Sequence, residues 1–176
     1  FEDLLWVEKD GKKGYFDLQR WRSDSATINP NYPKVVSPQY EEVSDHFHHG
    51  MAAVTKEGKV GFVNIEGQEV IAPQYEQFFH GFINRHTAVK KDGQWGFINT
   101  RGEAVTDFAF SRVQHGDVTL PEDAGRYWQI SKGEGWGLFD ARSGQQILAC
   151  RYGRFFKGGY GPLMAPFIAE NPGAGL

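Results

Sequence analysis

The sequence predicts an all-β chain: a tandem array of about four three-stranded antiparallel units with a 35-residue period. Three observations carry that prediction. A Gly-apolar step recurs at Gly14-Tyr15, Gly61-Phe62, Gly96-Phe97 and Gly137-Leu138, followed by an acid or amide at Asp17, Asn64, Asn99 and Asp140. A second anchor runs beside it, at Pro38-Gln39-Tyr40, Pro73-Gln74-Tyr75, Phe108-Ala109-Phe110 and Arg151-Tyr152; Tyr40, Tyr75 and Phe110 lie 35 residues apart, as do Gly61 and Gly96. Turn pairs stand between apolar runs at Asp10-Gly11, Glu57-Gly58, Asp92-Gly93 and Gly133-Glu134. Glycine accepts positive φ, so such pairs mark hairpins, and a fixed period of this length marks a chain made by stacking one small unit.

The second copy shows the elements most plainly. Ala52–Lys56 reads as strand a, Glu57-Gly58 as a turn, Lys59–Asn64 as strand b, and Glu69–Pro73 leads strand c into Tyr75, after which a polar loop returns to the next unit. The third copy repeats this over Thr87–Lys91, Gln94–Asn99 and Ala104-Val105. Units are expected at about 4–50, 51–85, 86–125 and 126–157 of one domain spanning 1–176, with a partial last strand in 158–168 near Gly161–Ala165. An open, curved stack is the first expectation and a closed propeller- or barrel-like ring the alternative.

Two-residue turns fix the register. They set Val7 opposite Gly14, Val54 opposite Gly61, Val89 opposite Gly96 and Ile130 opposite Gly137. A glycine inside a strand marks the close approach of another element, and the neighbouring unit is expected to fill that notch. On the other face Ala53 meets Phe62 and Ala88 meets Phe97, while the first copy departs with Trp6 opposite Tyr15. Lys90 stands opposite Trp95, where its stem covers the indole.

Trp95-Gly96-Phe97-Ile98-Asn99 and Trp136-Gly137-Leu138-Phe139-Asp140, with Gly67–Glu76, resemble the bacterial WG repeat family over about residues 4–160. The first two copies carry Lys13 and Val60 where the family has Trp, and the third carries Phe108 and Phe110 at its second anchor. The resemblance implies β-rich tandem repeats, some of them secreted or envelope-attached. It implies no single activity and transfers no catalytic residue set.

Composition bounds the rest. At 176 residues the chain is long enough to bury a core, with 15% aromatic residues and 22 glycines. A net charge of −3 with no basic block excludes a nucleic-acid partner as the expectation, and no run approaches the length of a membrane helix. Cys150 is the single cysteine, so no internal disulfide forms and the residue reads as a small buried hydrophobe. The absence of disulfides fits both cytoplasm and envelope, with the bacterial envelope favoured. The chain begins at Phe1 rather than Met, so any targeting segment is expected upstream.

Two insertions interrupt the period, around Trp21–Pro33 and within His115–Gly125. Loops absorb insertions and carry recognition, and Trp, Tyr and Arg dominate interface hot spots. Trp21, Arg22, Tyr32, His115 and Leu120 are therefore the candidate partner-binding residues. His46, His48 and His49 share a loop, and His80, His86 and His115 follow second anchors; they read as turn residues, and no metal is assigned. The mixed Asp17, Asn64, Asn99, Asp140 ladder reads as turns, since general acid–base work needs an ionisable group. No nucleophile elbow, phosphate loop or CxxC pair is present. The expectation is a non-catalytic scaffold without cofactor that recognises another protein through an extended β face and the inserted loops, as an envelope accessory or toxin-immunity protein. The rivals are a carbohydrate-binding module using exposed Trp6, Trp21 or Trp128, and an enzyme. Oligomeric state is left open.

Overall fold

The computed structural model describes residues 4–17, 34–115, 125–156 and 168–170, all of them strand, turn or loop. The chain divides into two compact units, Phe1–Gln77 and Phe78–Leu176.

The first unit holds two antiparallel sheets. One is β1 (Leu4–Lys9), β2 (Lys12–Asp17) and β3 (Lys34–Tyr40); the other is β4 (Glu42–Val43), β5 (Met51–Lys56), β6 (Lys59–Asn64) and β7 (Glu69–Tyr75), each in chain order. The second unit opens with β8 (Gln77–Ile83), which pairs with β9 (His86–Lys91) and then β10 (Gln94–Asn99). A four-stranded sheet follows, β11 (Arg112–His115), β12 (Tyr127–Lys132), β13 (Gly135–Asp140) and β14 (Gln145–Tyr152), and then the pair β15 (Arg154–Phe156) and β16 (Ile168–Glu170). None of these sheets closes into a barrel. The expected partial strand at Gly161–Ala165 lies outside the described residues; β16 is what is described there.

The hairpin registers are the expected ones: Val7 faces Gly14, Val54 faces Gly61, Val89 faces Gly96 and Ile130 faces Gly137. Both turn residues have positive φ at Asp10-Gly11, Glu57-Gly58 and Asp92-Gly93, whereas at Gly133-Glu134 only the glycine does. These are the primed turns whose twist matches the flanking strands.

Two expectations need correction. The segment after each second anchor is not a polar loop. Glu42–Val43, Gln77–Ile83 and Arg112–His115 are strands that add to the edge of the next hairpin, so the second and fourth sheets have four strands, not three. The apolar residues in these short stretches are what the loop reading overlooked.

The notch above each glycine is filled from within the same sheet, not by a neighbouring unit. The outer strand bulges there. Val60 pairs with Tyr75 and Phe62 with Ile71, so three residues of β7 arch over the single Gly61. A Cβ on Gly61 would meet the Ile71 carbonyl oxygen at 2.5 Å and the Pro73 nitrogen at 2.6 Å. Gly14 and Gly137 meet the arching backbones of β3 and β14 in the same way. Pro38 and Pro73 belong in these arches, because a bulge tolerates a residue with no N–H to donate. In the third copy the outer strand is reduced to two bridges, Trp95 with Phe110 and Ile98 with Ala104. There Thr106 Oγ1 accepts the Phe97 N–H at 2.9 Å, and the Phe108 ring covers Gly96.

The acid-or-amide ladder makes turns. Asn64 Oδ1 accepts from the Glu66 and Gln68 N–H groups, and Asn99 Oδ1 from Arg101 and Glu103. Asp140 Oδ1 accepts from Arg142 N–H but also takes a fork from Arg126, at 3.0 Å to each carboxylate oxygen.

Candidate functional site

Strand a of every copy can be compared position by position: Leu5-Trp6-Val7 in β1, Ala52-Ala53-Val54 in β5, Thr87-Ala88-Val89 in β9 and Trp128-Gln129-Ile130 in β12. Ala52, Thr87 and Trp128 are at most 1% exposed, yet Leu5, in the same position, is 49% exposed. Trp6 is 48% exposed where Ala53 and Ala88 are buried. Val7 is partly exposed, while Val54, Val89 and Ile130 are buried.

The packing explains the difference. Inside the first unit, Tyr15, Val36 and Tyr40 of the β1–β3 sheet form one core with Ala52, Val54 and Val63 of the next sheet. The Tyr15 ring meets Phe47 edge-on at 4.8 Å, and its hydroxyl donates to the Ser44 carbonyl. Burial pushes the Tyr15 hydroxyl up to about 12. Tyr40 is likewise pushed up to about 12, by burial and by Glu69, whose carboxylate accepts from its hydroxyl at 3.1 Å. Inside the second unit the same arrangement recurs: Ala88, Phe97 and Phe110 share a core with Val113, Trp128, Ile130 and Phe139, and Phe97 stacks on Phe139 at 3.8 Å. Within each unit the earlier sheet thus covers one face of strand a in the later sheet, and no described residue precedes β1 to cover the matching face, which carries Leu5 and Val7; Trp6 stands on the opposite face, across from Tyr15.

The edge of β1 is open in the same sense. The edges of β5, β9 and β12 are paired by β4, β8 and β11, but β1 has no outer strand among the described residues. Among the described residues its outer row of backbone donors and acceptors is therefore unpaired, and Leu5 and Trp6 project from opposite faces of the strand beside it. Lys13 lies 5.7 Å from the Trp6 ring centroid and is bonded to Glu42 at 2.5 Å. That hydrogen bond raises the ammonium's pKa.

A second concavity lies within the second unit, a groove of 860 Å³ bordered by Thr106, Asp107, Lys132, Gln146 and Cys150 among others. It exists because the third copy has a loop, Ala104–Phe110, where the others have a strand. Burial pushes the Cys150 thiol up, opposite to what a nucleophile requires. Among the described residues no group of three or more His, Cys, Asp or Glu side chains converges as a metal ion would need.

The sequence-predicted binding residues fare differently. Trp21, Arg22, Tyr32 and Leu120 lie outside the described residues. His115 ends β11, its backbone opposite Trp128, and its side chain is outside the description. His49 and His80 occupy left-handed backbone positions, and the His46 and His48 rings stand 6.5 Å apart. His86 Nδ1 lies 2.7 Å from the Ala141 carbonyl oxygen. Lys90 stands 6.0 Å from the Trp95 ring, as the register requires. Trp128 is fully buried, its indole N–H donated to the Gly125 carbonyl at 2.9 Å, so it is removed from the sugar-stacking candidates. Leu5 was missed by sequence reasoning, because the fourth copy carries a still larger residue, Trp128, at the same position and size alone did not mark it.

The family described as WG containing repeat matches residues 33–59 and 61–95. Those two stretches are similar to that family, and all four hairpins share one register. No curated protein matches the chain. Among solved structures, the N-terminal domain of Nup159 is similar at 12% identity and a TM-score of 0.46, covering 84% of this chain. The chain spans 41% of the length of that domain.

Proposed function

We propose that this protein is a non-catalytic scaffold that binds another protein, and that the docking surface is β1: its open edge and its exposed Leu5 and Trp6. The observation that carries this reading is the contrast at one repeat position, where Leu5 is 49% exposed and its three counterparts are at most 1% exposed. A position that the fold buries in every other copy, and that carries an exposed leucine here, is one a partner would cover. An extended segment adding to β1 would gain backbone hydrogen bonds along the edge and side-chain contacts on alternate residues. The match to a repeat family supports an interaction role. The inserted loops carrying Trp21, Arg22, Tyr32, His115 and Leu120 are proposed as additional contacts.

Site-specific photo-crosslinking tests the reading. A benzophenone side chain at Leu5 should yield a protein adduct, and the same group at exposed Lys59 should not. The purified partner should then bind the chain and lose at least tenfold in affinity on Trp6→Glu. Equal binding by Trp6→Glu would refute the surface. A carbohydrate module is the second reading, because Trp6 presents a half-exposed ring; quenching of tryptophan fluorescence by oligosaccharides, abolished by Trp6→Ala, would favour it instead.

A further inference from the structure

Glu41 is the single residue between β3 and β4, where the chain leaves the first sheet for the second. We propose that it is an acid-releasable strap, whose carboxylate holds the Glu57-Gly58 turn in its primed form and whose protonation lets that hairpin tip loosen. The strap does not depend on β1 being a docking face.

The first ground is geometry. Glu41 Oε1 accepts the Glu57 N–H at 3.0 Å, and Oε2 accepts the Gly58 N–H at 3.0 Å. Its own N–H donates to the Thr55 carbonyl at 2.8 Å, which fixes the backbone beside the turn. One carboxylate thus takes both turn amides, and hydrogen bonds to an ionised acceptor are about twice as strong as neutral ones. Glu57 sits at φ +53°, in the left-handed region where residues other than Gly, Asn and Asp rarely go. Such a conformation persists where its surroundings over-determine it. Lys12 Nζ stands 3.9 Å from Oε1, but both side chains are exposed, so that ion pair adds little. Lys12 is the charged group that faces the carboxylate. Of the others on the adjoining elements, Lys13 is bonded to Glu42, Lys56 and Lys59 flank the turn, and Glu57 carries its own carboxylate there. The Gly58 amide bond, with lesser help from the Glu57 amide and Lys12, holds the Glu41 carboxyl below the usual glutamate range despite some loss of hydration.

The second ground is the comparison between copies. Glu76 stands 35 residues after Glu41, and Asp92-Gly93 stands 35 residues after Glu57-Gly58. Both turns have positive φ at both residues. The fourth copy carries Ser111 in the place of the glutamate. Its N–H donates to the Ser131 carbonyl at 2.8 Å, the same bond that Glu41 makes to Thr55. Its hydroxyl donates to that carbonyl too, at 3.2 Å, instead of reaching ahead to the turn. The turn there is Gly133-Glu134, and only the glycine has positive φ. In these three copies the primed turn with an acidic first residue goes with a glutamate after the second anchor, and the turn with glycine first goes with serine. A two-residue turn sets the register of its hairpin, so holding this turn holds Val54 opposite Gly61.

Amide-proton NMR tests the strap. In the wild-type chain the Glu57 and Gly58 amide shifts should move together on acidification, with one midpoint below the free glutamate value of about 4.3. The strap's contribution is present above that value and is lost as pH falls through the lower folded one. Glu41→Gln should remove that midpoint while the chain stays folded. Glu41→Ala, compared with wild type at one pH, should speed hydrogen exchange at both amides by about tenfold or more, with the Asp92 and Gly93 amides as unchanged references. Amides of Glu57 and Gly58 that ignore Glu41→Ala, a shared midpoint at or above about 4.3, or a midpoint that survives Glu41→Gln overturns the proposal. Where Glu41→Ala speeds exchange at Asp92 and Gly93 as well, the whole fold has loosened, and the wild-type titration alone decides.

Discussion

Adding one methyl group at Gly61 should damage this fold more than adding it at Gly96, although the two glycines hold the same place in the repeat. A Cβ on Gly61 stands 2.5 Å from the Ile71 carbonyl oxygen and 2.6 Å from the Pro73 nitrogen, both backbone atoms of β7. Carbon contacts settle near about 3.5 Å, so the arch must retreat by about 1 Å and strain the pairs that flank it, Val60 with Tyr75 and Phe62 with Ile71. Gly61→Ala should therefore cost about 3 kcal/mol, the upper part of the range for overpacking. At Gly96 the nearest atom is Phe108 Cδ1 at 2.9 Å, on a partly exposed side chain that can turn aside. Gly96→Ala should cost about 1 kcal/mol. Urea unfolding followed by circular dichroism reads both values. In thermal melts the first variant should lose about 6–12 °C and the second about 2–4 °C. A Gly61→Ala chain within about 0.5 kcal/mol of wild type, or a Gly96→Ala chain equally destabilised, would refute the account of the notch as a close approach by backbone.

Asp140 is buried, which by itself pushes its carboxyl up, but the Arg126 fork and the Arg142 N–H outweigh that and hold its pKa below the usual value. The stability it contributes is present above the unfolded-state value of about 3.9 and is lost as pH falls through the lower folded value. Asp140→Asn should cost about 3 kcal/mol at neutral pH and flatten the acid limb of a stability profile below about pH 4. Tyr15 and Tyr40 shift the other way, to about 12, so their share of stability is present below the ordinary tyrosine value and disappears as pH rises through the folded one. Denaturation midpoints should fall across that alkaline window, and less so for Tyr15→Phe. Trp128→Ala should cost about 4 kcal/mol, whereas Trp6→Ala should stay within about 1 kcal/mol of wild type, as compared by urea unfolding.

The hairpins were legible because they depend on local chemistry. Asp10-Gly11, Glu57-Gly58 and Asp92-Gly93 admit the primed turn, and the turn alone fixes which residue faces which glycine. The outer strands were not legible from such signals. β4 has two residues and β11 has four, and their pairing comes from a hairpin that lies further along the chain. The filling of the glycine notch was misassigned for a related reason. A bulge of three residues against one breaks the alternation that sequence reading relies on, and Pro38 and Pro73, its best markers, also mark an ordinary strand end. The Asn64 and Asn99 turns were legible because an Asx side chain bonds locally, but the Asp140–Arg126 pair was not, since it joins the residue before β12 to the last residue of β13. As for the candidate surface, Trp6 stood out as a departure from the repeat, while Leu5 became visible only when burial was compared across the four copies.

Hydroxyl-radical footprinting, comparing Leu5 and Trp6 with Trp128, tests the central claim most directly. In the free chain, Leu5 and Trp6 should be oxidised readily and Trp128 hardly at all, and the first two should become protected when the partner is bound. If Leu5 and Trp6 are as protected as Trp128 in the free monomer, β1 is not an open docking face and the account is wrong.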